Sequence, residues 1–579
     1  MSSPNVGLRD ALVVLETDCN VIRNLVNEGH TVPWFGSAIS KERMPDLKFL
    51  ILKLLELLYA KCDPRNPTCA YRLAIREILA LVSPQKSVHA DTDPASWDVV
   101  ERDSVITQLV GKYSTILSFS VTTPSGEANI RWDILNLIGI YSDPTIEEDA
   151  EHVFIALLMR EGLWPQAVTT NWDGLIEKAD EIISDGITSP LATIASEDDL
   201  STNRNHSSVL YKIHGCAKKA AIDPARYKQF MVAIELEIGQ WANDANRRAF
   251  REAIRTLIRT KTILFIGLSG QDFNIKLQAI ATGGQTTYSP TAPRIAFATT
   301  AISHDHRTFL SAFYTEQGFL SQKELICQQA TVPLYGKPLL GGIWVDLLFS
   351  KCQLVLDRSS DLRPTSKANA ERALGFVKDS ICKVFDDKLK SMSLDDAWRW
   401  LAHAIPTFLS TCISIFREQK QLVSAGSYSP LVPGNLSMAS TDTNLPLLRF
   451  HWLLWTLGLF VEGFQAGRWG LKTSIDGRLG SSPLALHCSG KLRPLFIVND
   501  HIQGKVKCLD NGVIDETDCS DSIVVYPFDR RPRTVSRSPR STFRVRLSSD
   551  EPQEIWLGDV YHESDSDDDA LEALVLEIA

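Results

Sequence analysis

Paired cysteine ligands are missing from this chain. Its eleven cysteines are an odd number, widely scattered, and no two are spaced as Cys-x-x-Cys. That excludes a zinc ribbon of the usual kind and fits free thiols in a reducing compartment. A long apolar run is missing too. The most apolar stretch, 445–464, is interrupted by Arg449, His451 and Glu462, and its unbroken part, 452–461, is too short to cross a bilayer. It reads as a buried helix. The first twenty residues carry Arg9, Asp10, Glu16 and Asp18 where a secretory signal needs an apolar run, so a cytoplasmic protein with no membrane contact is expected. Nor is there a basic excess: the net charge of -10 and pI of about 5.7 argue against a general polyanion binder.

What is present suits large soluble cores. The 579 residues are 44% hydrophobic and 22% charged, and at roughly 150 residues per unit such a chain divides into two to four parts. From residue 31 to about 352, short apolar runs alternate with helical patterns, the signature of βαβ units. Strands are expected at 32–35, 166–169, 209–214, 262–266, 294–298 and 326–330. Between the first two lies a helical insertion, about 41–165, whose clearest helix is 46–60. The expected fold class is α/β: a Rossmann-like, doubly wound parallel sheet over residues 1–360. A polar, proline-containing break at 357–366 precedes a second region, 364–579. That region has helical patterns at 367–420 and 445–464, then strands at 495–498, 522–526, 542–547 and 554–557. Its Arg-rich segment 529–546 and its acid-and-serine run 562–569 read as solvated loop and tail, with a phosphate-touching patch as the alternative for the arginines.

Four segments end strands in polar or small residues. Gly36, Ser37 and Ser40 follow the first strand, where small residues let a backbone turn and approach an anion; a plain tight turn is the alternative. Thr170, Asn171 and Asp173 follow the second, and capping of the next helix by Thr170 or Asn171 would explain them equally well. His214 precedes Gly215 at the end of the third, either as a residue tuned to titrate near neutrality or as a structural histidine. Gly267 and Ser269 open a turn leading to Asp272 and Asn274, with a cap by Asp272 as the alternative. All four sit at strand carboxyl ends, where an open α/β sheet gathers its ligand contacts.

In order and wording these segments resemble the sirtuin-like family, with Gly36–Ser40, Thr169–Asp173, His214-Gly215 and Gly267-Leu268-Ser269 standing for its motifs over roughly residues 20–360. The look-alikes are members from bacterial antiphage defence. The first motif departs from the family in having Ser37 and Ala38 where Ala and Gly are usual. The resemblance implies NAD+ as substrate, with Asn171 orienting the ribose or the attacking water and His214 as general base. It places Gly36, Ser37 and Ser40 at the diphosphate, Thr170 and Asp173 near the ribose or nicotinamide, and Gly267, Ser269, Asp272 and Asn274 on the adenosine side. Without Cys-x-x-Cys pairs, it implies hydrolysis to nicotinamide and ADP-ribose. The alternatives are an NAD-dependent protein deacylase and a non-catalytic NAD/ADP-ribose-binding module. Similar effectors work as homo-oligomers or with a partner such as a prokaryotic Argonaute or a ring-forming translocase ATPase, reaching nucleic acid through that partner. No metal is expected: His304-Asp305-His306 reads as a helix start without a third ligand.

Overall fold

The computed structural model describes residues 6–123, 126–184, 191–202, 206–241, 244–268, 288–289, 293–416, 428, 430, 432–442, 450–473, 484–488, 490–497, 522–527 and 553–578. Seven parallel strands form the main sheet: β1 Thr31–Phe35, β2 Gln166–Thr169, β3 Leu191–Ile194, β4 Ser208–Lys212, β5 Thr262–Ile266, β6 Ile295–Ala298 and β7 Thr331–Val332. Their order is β3-β4-β2-β1-β5-β6-β7. The chain winds outwards from β1 in one direction and, from β5, in the other. The crevice at such a reversal, outside the carboxyl ends of β1 and β5, is where open α/β sheets bind ligands.

Both faces of the sheet are buried, which is why its strands are nearly continuous apolar runs. Alternation still sorts the side chains. Val32, Trp34, Ile263 and Phe265 enter one core, while Phe35, Leu264 and Ile266 enter the other. Two readings of the sequence change here. Residues 326–330 do not form a strand: Ile326 and Cys327 are buried on the helix Glu316–Gln329 beside Phe319, and the edge strand is β7 just beyond. The short strand β3 had no counterpart among the expected strands.

Between β1 and β2, the helices Leu47–Ala60, Ala70–Ala80 and Val99–Val110 pack around their own core of Leu50, Leu54, Leu58, Ile75, Ile78 and Leu109. The chain returns to the sheet through α1, Ala150–Arg160, every residue of which except Arg160 is buried. Against it lies α2, Gly336–Asp357. By length and composition α2 could cross a membrane, but most of it is buried inside the fold.

The helices α3 Pro364–Leu389 and α4 Leu394–Phe416 follow, and Phe385, Trp398 and Leu401 enter the same core as α1 and α2. Then come α5, Phe450–Gln465, and a five-stranded mixed sheet: β8 Gly470–Thr473, β9 Leu484–Cys488, β10 Lys491–Ile497, β11 Ile523–Tyr526 and β12 Gln553–Trp556. The acidic run is not a solvated tail. It spans the end of one helix, Leu557–Glu563, and the start of another, Asp567–Ile578. Leu571, Leu574 and Ile578 bury one face of the latter, and Asp567 accepts hydrogen bonds from Ser366 Oγ (2.7 Å) and Asn369 Nδ2 (2.5 Å). The Arg-rich segment 529–546 and the expected strand 542–547 lie outside the described residues.

Candidate functional site

The turn after β1 needs glycine for a steric reason. Gly36 is extended, but a Cβ on it would come within 2.5 Å of the Gly267 carbonyl oxygen. Gly267 has φ +74°, a region that favours glycine, and faces Gly36 and Ile39 in return. Backbone hydrogen bonds bind the two turns together: Gly36 N–H donates to Ile266 O (2.9 Å) and Ala38 N–H to Gly267 O (3.1 Å). Ile39 N–H donates to Gly36 O (3.2 Å). These three donors are therefore spent on the fold, and what the turn offers an anion is concentrated at the exposed Ser37.

After β2, Thr169 Oγ1 donates to Phe35 O (3.2 Å) and accepts from Asn171 N–H (3.0 Å). The next helix, Leu175–Ile183, starts four residues after Asn171, and its first N–H is met by Asp173 Oδ1 (3.2 Å). Neither Thr170 nor Asn171 caps it: the N-cap is Gly174, with no side-chain cap, and Asp173 meets the first N–H from one residue before it. Thr170 is half-buried, with its N–H on Phe35 O.

The buried Asn171 side chain turns instead towards the first segment. Its Nδ2 donates to Gly36 O (3.2 Å) and to Ser40 Oγ (3.2 Å). A carbonyl oxygen only accepts, so the amide nitrogen must face Gly36. Asn171 Oδ1 is left with no hydrogen-bond donor among the described residues. Ser40 is buried as well, and its Oγ lies 3.0 Å from His152 Nε2.

His214 leaves β4 two positions past Lys212, and Asn171 leaves β2 two positions past Thr169; Thr169 and Lys212 are register partners on adjacent strands. Ile213 N–H continues the ladder to Thr169 O (3.1 Å). His214 and Asn171 therefore exit side by side. Gly215 has φ +91°, and a Cβ there would meet Phe230 O and Met231 Sδ at 2.8 Å, so the segment 230–232 closes tightly behind the histidine. Beneath this corner, Lys212 is fully buried with its Nζ 3.0 Å from Glu177 Oε1 and donating to Asp173 O. Burial disfavours its charge, but Cys216, Glu177 and Asp173 hold its pKa above the usual lysine value.

Sequence reasoning missed two features of this site. One is an aromatic wall in which the Trp172 ring centroid lies 5.2 Å from Tyr141 and 6.4 Å from Trp132. Burial, with Asp173 and Asp46 adding, pushes the Tyr141 phenol up to about 12. The other is His152, whose only trace in the sequence is Asp149-x-x-His152 opening an apolar helix. Ser269, Asp272 and Asn274 lie outside the described residues. His306 sits at the third position of a helix whose cap is Ser303, stacked 4.4 Å from Phe297.

Residues 165–314 match the family described as a SIR2-like domain. The match takes in Asn171, Asp173, His214 and Gly267 and begins after the Gly36–Ser40 turn. A SIR2-like domain points to NAD-related chemistry. No curated protein matches the chain.

Proposed function

We propose that the SIR2-like domain of this chain is the core of an NAD+ nucleosidase that cleaves NAD+ to nicotinamide and ADP-ribose. The observation that carries the reading is the paired exit of Asn171 and His214 from adjacent strands, beside the β1/β5 crevice. NAD+ already carries a cationic leaving group, so the work is to hold the ribose and present a water. The C1′–N bond breaks, water oxygen bonds to C1′, and the proton of that water passes to His214. Asn171, whose Oδ1 meets no donor among the described residues, orients the ribose or the water. Ser37 meets the diphosphate. The absence of Cys-x-x-Cys pairs weighs against a deacylase.

The test is nicotinamide release by the purified full chain. Asn171→Ala and His214→Ala should each lower it at least about 100-fold while the protein stays folded. Near-normal turnover in either variant defeats the assignment. One observation favours a second reading, a non-catalytic module for NAD+ or ADP-ribose. The Ala38 N–H is bonded to Gly267 O, which leaves few donors for a diphosphate. That reading predicts binding without turnover at any protein concentration. The cellular role we propose is that of a cytoplasmic antiphage effector, quiet until a protein partner or self-assembly activates it. Comparing nicotinamide release in infected and uninfected cells tests this.

A further inference from the structure

Asn171 is the inner end of a hydrogen-bonded chain that reaches the surface on α4. Ser40 Oγ accepts from Asn171 Nδ2 and lies 3.0 Å from His152 Nε2. His152 is fully buried, and burial keeps its pKa below the usual value, with Asp173, Asp149 and Glu148 acting the other way. Its Nδ1 accepts from Asp149 N–H (3.0 Å), so in the neutral ring the proton sits on Nε2 and is donated to Ser40. The buried Asp149 carboxylate caps α1 and receives Arg399 Nε (2.7 Å) and Nη2 (3.3 Å). Lys337 Nζ lies 3.2 Å from the same carboxylate. Arg399, on α4, is about a third exposed, whereas Ser40, His152 and Asp149 are not.

A capping box ordinarily uses Glu or Gln at this third position. A histidine adds a second nitrogen on the far side of the ring, and that nitrogen is the one on Ser40. We propose that Arg399 is a positioning residue for the Asn171 amide, acting through Asp149, His152 and Ser40, and that α4 thereby controls the reactivity of the site. Arg399 holds the capping carboxylate, the cap holds the ring, the ring holds Ser40, and Ser40 holds in place the amide that Gly36 O orients. The kinetic part of this inference rests on the NAD+ reading; the positioning part does not.

The experiment uses the full chain with Arg399→Met, Arg399→Lys, His152→Ala and the Arg399→Met/His152→Ala double variant. Arg399→Met should lower kcat for NAD+ cleavage about tenfold with KM within about twofold, since it removes orientation and not substrate contact. Arg399→Lys should restore most of the loss. The double variant should be no slower than His152→Ala alone, because the effect passes through the ring. Hydrogen–deuterium exchange should rise in peptides spanning 36–44 and 149–153 of Arg399→Met and stay unchanged in 450–465. An unchanged kcat, or additive losses in the double variant, overturns the inference. If the wild-type chain cleaves no NAD+, the proposed function falls, and the positioning chain is then judged on exchange alone: no rise at 36–44 refutes it.

Discussion

The helix α1 has a cluster of buried charge at each end, and the two are built differently. At its amino end, Asp149 is met by Lys337 and Arg399, with Arg43 at 3.7 Å. The rim of that cluster is wet: Glu42 and Asp395, both on Lys337, are nearly half exposed. At its carboxyl end, Glu161 and Lys351 are both wholly buried 2.5 Å apart. Tyr428 donates to Glu161, and Lys351 also donates to Val432 O (2.6 Å). Burial and Glu161 hold the Tyr428 phenol well above its usual pKa, so it stays a donor. The closed cluster ties Tyr428, Val432 and Gly434 to the end of α1 and, through Arg160, which donates to Tyr428 O (2.9 Å) and to Asp180 (3.2 Å), to the helix Leu175–Ile183. The open one continues through His152 to the site. Similar ion pairs thus serve as an anchor where every partner is interior, and as a coupling where one partner reaches solvent.

Four changes break or sharpen that contrast. The largest effect is expected from Lys351→Met, which strands the Glu161 charge in the interior and should cost about 3–5 kcal/mol. Thermal unfolding reads the loss, and turnover per folded molecule should not change; a loss of turnover at full folding would make the anchor part of the site. Gly36→Ala comes next. Its methyl meets the Gly267 carbonyl, so the paired turns must separate at about 1–3 kcal/mol, with NAD+ consumption falling alongside.

The third change concerns Glu151, also in the open cluster. Burial pushes its carboxyl up to about 8, against Lys337, with Asp149 adding to the rise. Because the folded-state pKa lies above the ordinary one, its contribution to stability is complete below about pH 4.5 and is lost as pH rises through about 8. Glu151→Gln should therefore match the wild type near pH 4.5 and melt progressively higher than it towards pH 8. Parallel curves would mean that the carboxyl is ionised in the fold. The smallest effect belongs to Asp395→Asn, which removes a half-exposed partner of Lys337 and should shift stability by less than about 1 kcal/mol. A larger loss would show that the rim is not screened by water.

Much of the fold was legible because parallel strands buried on both faces write themselves as apolar runs. β2 and β5 begin and end where the runs do. The errors came where the same residues suit two structures. Ile326 and Cys327 look like a strand but are the inward face of a helix. The final helix was spelled by Leu571, Leu574 and Ile578 at helical spacing, yet the acids before it dominated the reading. In the site, spacing placed Asn171 and His214 at strand ends but could not separate a catalytic residue from a cap.

What the sequence determined alone is the local grammar: which runs form strands, where glycine allows close turns, and that paired zinc ligands are missing. These depend on near neighbours, whose effects short spacings record. Only the tertiary structure decided that the Asn171 amide turns to Gly36 and Ser40. Only it showed that Ser40 faces inward to His152, and that Arg399, over two hundred residues away, touches the cap of the helix carrying that ring. Those contacts join segments with no fixed separation along the chain, so no local pattern encodes them. They exist because burial leaves each polar group few partners, and here those partners lead from the crevice to the surface.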